Sequence, residues 1–165
     1  MNWGLDTSAL LRIVTKEPPE LALRVAARIE SILEAGETVS VSDLAVFEAY
    51  YALQHSYRMT KANAIADLLA LSRQPGFVFS ETAVAALSEP NAATMSPGLV
   101  DRMIAGEYRA RCLRVLSCEK DFRKLPDAEV VTDDPFWSEE NQRVLKESIE
   151  SFERGEGERH DLIDP

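Results

Sequence analysis

The stretch Trp3-Gly4-Leu5-Asp6-Thr7-Ser8-Ala9-Leu10-Leu11 reads as a short strand that ends on an acid and turns at once into a helix. Asp6-Thr7-Ser8 suits a helix cap. An Asp placed directly after an apolar strand also suits a site. Outward from it, the same grammar repeats. Thr38-Val39-Ser40-Val41 is a strand, and Ser42 or Asp43 caps a helix running to about Tyr57, with Glu48 in its early turns. Between them, Pro19 starts a helix over residues 19–35, with Leu21, Val25, Ile29 and Ile32 at helical spacing and Gly36 as its stop. Thr60 caps a further helix, Phe77-Val78-Phe79 is a strand, and Glu81–Leu87 is a helix. A loop over Asn91–Pro97 leads to a helix from Gly98 to about Cys112, and Leu113–Leu116 and Glu129–Val131 are the last strands. Short strands alternating with helices predict crossover connections and a parallel sheet covered on both faces. In such an α/β fold, sites lie beyond the carboxyl ends of the strands.

Four acidic motifs fall on such positions. They contain Asp6, Glu48, Asp101 in Val100-Asp101-Arg102-Met103-Ile104-Ala105, and Glu119 and Asp121 in Ser117-Cys118-Glu119-Lys120-Asp121-Phe122. Carboxylates gathered at one sheet edge repel one another unless a cation sits among them. An all-oxygen donor set of this kind suits Mg²⁺ or Mn²⁺. Cations so held can deprotonate a water, relieve charge on a phosphoryl group and assist a leaving oxygen. Ser8 and Ser117 are placed to orient a carboxylate or a metal-bound water. His55 and His160 are the only histidines, which argues against a ribonuclease built on a histidine pair.

The 165 residues, 45% of them hydrophobic, suffice for one domain with a full core. No apolar run is long enough to span a membrane, and no secretory signal precedes the first strand. Cys112 and Cys118 read as free thiols, small core residues in a reducing cytoplasm. The net charge of −10 is uneven: residues 132–165 hold eleven acidic against four basic residues, a balance of −7. The body is thus close to neutral and tolerates a nucleic-acid substrate, whereas the tail repels one. Arg12, Lys16, Arg102, Arg109 and Lys120 read as solvated charges that could also line an RNA path, and Tyr50, Tyr51 and Tyr57 as core or dimer contacts.

Over roughly residues 3–131, the order and context of these motifs resemble the PIN domain, and within it the VapC-type ribonuclease toxins. The stretches that carry the resemblance are Leu5 to Leu11, Val41 to Leu53, Val100 to Ala105 and Val115 to Leu125. The resemblance implies a three-layer α/β/α fold with a short parallel central sheet. It also implies a Mg²⁺- or Mn²⁺-dependent endoribonuclease, the toxin of a type II toxin–antitoxin pair. The implied partners are an RNA substrate, a cognate antitoxin and a second copy in a homodimer. Asp6, Glu48 and Asp101 would be ligands; the fourth is Glu119, which falls on the usual acid one methylene longer, or Asp121 before Phe122. On this reading, residues 1–131 are the nuclease domain and 132–165 an acidic extension. The extension has a Ser138-capped helix carrying Leu145, Ile149 and Phe152 on one side. Phe136-Trp137-Ser138, Gly155-Glu156-Gly157 and His160-Asp161-Leu162-Ile163 within it resemble the toxin-binding segment of Phd/YefM- or RelB-type antitoxins. A second reading is a PIN-like module, impaired in catalysis by Glu119, that acts through a protein partner. A phosphoacceptor receiver domain fits poorly, because Phe77-Val78-Phe79-Ser80 supplies no acid after the third strand.

Overall fold

The computed structural model describes residues 2–131 and 138–155. The 131/132 boundary and the expectations placed on Phe136-Trp137 and on residues 156–163 therefore involve residues outside those described. Five short strands alternate with helices: β1 (Trp3–Leu5), α1 (Thr7–Thr15), α2 (Pro19–Glu34), β2 (Val39–Val41), α3 (Asp43–His55) and α4 (Lys61–Ser72). They continue with β3 (Phe77–Val78), α5 (Glu81–Ser88), α6 (Leu99–Ala110), β4 (Val115–Ser117), a 3-10 turn (Lys120–Lys124), β5 (Ala128–Val130) and α7 (Glu139–Glu153). All strand pairs are parallel. The sheet comes in two pieces, ordered β1-β2-β3 and β4-β5. Leu5 lies opposite Val41, and Val115 opposite Ala128. This is the three-layer α/β/α arrangement, with helices α1 to α6 making the crossovers.

Local chemistry starts the helices. Side chains of Asp6, Ser42, Thr60, Ser80 and Ser138 each accept a backbone N–H from the first turn of α1, α3, α4, α5 and α7. Each cap satisfies a donor the helix cannot, worth about 0.5–2 kcal/mol. Gly36, just past the end of α2, takes φ +74°, the left-handed conformation that glycine adopts without a Cβ penalty. The main core joins Leu10 of α1, Val41 of β2, Val46 and Leu53 of α3, Leu68 of α4, Leu87 of α5 and Met103 of α6. A second cluster packs Ile29 and Ile32 of α2 on Val39. Burying such a side chain contributes about 1.5–3 kcal/mol, so α1, α3 and α6, with which Asp6, Glu48 and Asp101 are associated, are fixed relative to one another.

One expectation changes, and two segments gain detail. Cys112 and Cys118 are free thiols, but both are exposed rather than core. Cys112 lies just after α6 with φ +58°, where the chain turns toward β4. The segment after β4 folds as a 3-10 turn over Lys120–Lys124 that buries Phe122. Of the tyrosines, Tyr50 is core, Tyr51 is exposed and stacks on His55, and Tyr57 accepts a hydrogen bond from Arg12.

Candidate active site at the strand ends

Parallel strands bring helix starts to one edge of the sheet. Asp6 follows β1, Ser42 and Asp43 follow β2, and Ser80 follows β3. Ser80 Oγ donates to Asp43 Oδ1 at 2.5 Å, tying the start of α5 to that of α3. Helix N-termini expose unpaired N–H groups and carry partial positive charge, which favours a phosphate nearby.

Asp6 is an exposed N-cap. Its Oδ1 accepts from Ala9 N at 2.9 Å, and Ser8 Oγ lies 3.0 Å from both carboxylate oxygens. Ser8 thus touches the carboxylate it was expected to orient. One residue earlier, Thr7 Oγ1 donates to Glu48 Oε2 at 2.5 Å. That bond joins the first turn of α1, next to Asp6, to α3. Thr7 was not among the residues singled out from the sequence. Its only signal was adjacency to Asp6 in the opening motif.

Asp101 is half-buried in the first turn of α6, where Oδ2 accepts from Gly98 N at 3.3 Å. Glu119 is exposed just beyond β4. Its backbone N–H donates to Ser117 Oγ at 3.0 Å, so Ser117 shapes the turn rather than a carboxylate. Among the described residues, no hydrogen bond or ion pair engages the Glu119 carboxylate. Asp121 is held differently: Lys124 Nζ lies 3.0 Å from its Oδ1 and 2.8 Å from Ser96 Oγ. Hydrogen bonds from Ser96, and then from Lys124, hold the Asp121 carboxyl below its usual range. Asp121 already has a cation of its own.

Among the described residues, no group of three or more His, Cys, Asp or Glu side chains is gathered as a metal site. Thr7, next to Asp6, bonds Glu48; Asp101 and Asp121 keep separate local partners, and the Glu119 carboxylate has none among the described residues. The donors are nevertheless all oxygen. Mg²⁺ commonly keeps several waters and takes only one or two carboxylates. A cleft of about 300 Å³, lined by Phe47, Val100 and Met103 among others, separates the helices that carry Glu48 and Asp101.

Of the basic residues, Lys16, Arg109 and Lys120 are exposed as expected, and Arg102 departs from expectation. Arg102 is half-buried and donates to the carbonyls of Pro97 at 2.7 Å, Ala92 at 3.3 Å and Ala86 at 3.5 Å. Burial pulls its pKa below the ordinary guanidinium value. It braces the loop before α6 and is no solvated charge. Arg12 is tied to Glu17 O and Tyr57 Oη, and Arg109 is paired with Asp127 at 2.6 Å.

A family model described as PIN domain matches residues 5–128. No curated protein matches the sequence. Among solved structures, VapBC2 from Rickettsia felis, bound to a DNA fragment from their promoter, is similar at 16% identity. It covers 79% of this chain and 98% of its own, with a TM-score of 0.36. No helix among the described residues is long and apolar enough to cross a membrane.

Proposed function

The chain belongs to the PIN-domain family, and on that premise we propose that it is a Mg²⁺- or Mn²⁺-dependent endoribonuclease of the VapC toxin type, restrained by a cognate antitoxin. PIN domains are typically nucleases that use divalent ions. The observation that carries the reading is the hydrogen bond from Thr7 to Glu48, which ties that carboxylate to the residue next to Asp6 at the end of β1. A bound cation supplies charge relief at the phosphoryl group and acidifies water. The chain does the rest. Ser8 and the Ala9 amide fix the Asp6 carboxylate, and Thr7 fixes that of Glu48. Asp101 adds a third acid at the start of α6. Glu119 is the fourth, because its carboxylate is uncommitted among the described residues whereas Asp121 is neutralised by Lys124. The helix starts at this edge favour the phosphate of the scissile bond. In this reading residues 1–131 form the nuclease and 132–165 an acidic extension, in a cytoplasmic homodimer.

The test is cleavage of a mixed-sequence RNA by the full chain, with Mn²⁺ or Mg²⁺ and with chelator. Cleavage that needs the ion and is lost in Asp6→Asn supports the reading. Cleavage that persists in chelator overturns it. The ungathered state of the five carboxylates favours one alternative, a PIN-like module that binds a protein partner without cutting. Absence of cleavage together with absence of Mn²⁺ binding in a titration would establish that alternative.

A further inference from the structure

Helix α7 carries an apolar stripe that no described residue buries. Val144, Leu145, Ile149 and Phe152 are 49%, 42%, 50% and 77% exposed, and no residue of the helix is buried. An isolated helix of this length is marginal in water, and most helices owe their stability to a packed apolar face. The helix is also acidic, with five glutamates against Arg143 and Lys146. Its cover must therefore be apolar and free of acids.

Four clefts on the body can be compared on that basis, of which the one beside Pro18 and Pro19 includes Glu20. The one between α3 and α6 includes Asp43 and Glu107, which would repel the helix. The one between α5 and α6 includes Glu81 and Glu89, and its two arginines are committed to backbone carbonyls and to Asp127. The fourth, about 420 Å³ along β1 and α2, is lined by Trp3, Leu21, Val25 and Ile29 with Arg24 and Arg28, and by no acid. Arg28 stacks over the Trp3 ring at 4.7 Å. Arg24 is exposed and, among the described residues, holds no ion pair. Apolar floor and positive charge match the acidic, apolar-striped helix in both respects.

The helix does not occupy this groove in its own chain, since it buries none of its residues. We infer that the occupant is α7 of a second copy, so that two chains exchange helices, each seating Leu145, Ile149 and Phe152 beside the other's Arg24. Such an interface is isologous and closes as a dimer. It does not depend on the nuclease reading.

The experiment is light scattering and sedimentation of the full chain, its variants and their mixture. Wild type is dimeric. Ile149→Asp and Arg24→Glu each weaken the dimer about tenfold or more, by the usual cost of burying an unpaired charge or reversing one. Both positions are exposed in the single chain, so the body stays folded, and any loss of helix signal is confined to α7. An equimolar mixture of the two variants recovers a hetero-dimer, because one intact helix meets one intact groove, which neither variant offers to itself. A dimer that survives Ile149→Asp, or a mixture that recovers nothing, overturns the inference. A monomeric wild type whose α7 amides are protected from exchange, with protection lost in Ile149→Asp, overturns it too, since the helix then folds onto its own body.

Discussion

Thr7 Oγ1 and Glu48 Oε2 share a 2.5 Å hydrogen bond between residues 41 apart in the chain. Through it the helix that Asp6 caps and the helix that presents Glu48 are fixed to one another at the end of β1. An exposed glutamate would otherwise sample many rotamers, and ordering it at the moment of ion binding costs entropy. The hydroxyl settles part of that cost in advance.

Replacing Thr7 by Val keeps the shape and deletes the donor. Ion activation of RNA cleavage should weaken about 10–100-fold, the usual effect of losing a group that orients a ligand. The α1 cap belongs to Asp6, so the thermal midpoint should hardly move. An unchanged Mn²⁺ activation curve would remove Thr7 from the site.

Asp6→Asn separates the two jobs of that residue. Asn caps helices about as well as Asp, so stability should be retained while ion-dependent cleavage is abolished. Asp6→Ala should lose the cleavage and also about 0.5–2 kcal/mol of stability in urea unfolding. Glu48→Gln and Asp101→Asn should likewise be inactive and folded. Near-wild-type cleavage by any two of Asp6→Asn, Glu48→Gln and Asp101→Asn would show that the site lies elsewhere.

Glu119→Ala should be the more damaging of the two late-acid changes, and Asp121→Ala the milder. Equal, mild effects would favour the non-catalytic alternative. The Asp121 carboxyl is held low by Ser96 and Lys124. Its contribution to stability is therefore present above the ordinary carboxylate range and disappears as pH falls through the depressed folded value. In Lys124→Met the Asp121 titration, followed by NMR, should move up toward the ordinary value. A titration that does not move would mean that the ion pair is absent in solution.

Arg102→Met should be strongly destabilising, on the order of 3 kcal/mol in urea unfolding, because one charged donor serves three carbonyls at Ala86, Ala92 and Pro97. A loss of only a few tenths would mean that water replaces the guanidinium without cost.

Truncation after Val131 should leave the body folded, since α7 buries none of its own residues, while removing the helix-exchanged dimer. Removing the acidic extension should raise RNA affinity most at low salt, where its charge is least screened. An aggregating truncation would instead assign the extension a structural role. Unchanged RNA binding at low salt would dispose of its role as an electrostatic modulator.

The element order was legible in the sequence because it rests on signals within a turn or two of chain. Ser42, Thr60, Ser80 and Ser138 bond N–H groups three residues on, Pro19 opens a helix, and Gly36 closes one. The places of Asp6 and Glu119 after β1 and β4, of Asp101 in the first turn of α6 and of Glu48 within α3 were legible from the same local signals. Which of them share a partner was not. The Thr7–Glu48 bond, the Arg102 brace across three carbonyls and the Lys124 cation on Asp121 depend on how separate elements pack or on which rotamer a surface side chain adopts. Exposure of Cys112 and Cys118 likewise follows from where α6 and β4 end in space. Helix starts and apolar periodicity are short-range consequences of backbone hydrogen bonding and side-chain spacing. The pairing of a hydroxyl with a carboxylate 41 residues away is decided only when burial of the core brings two helices together.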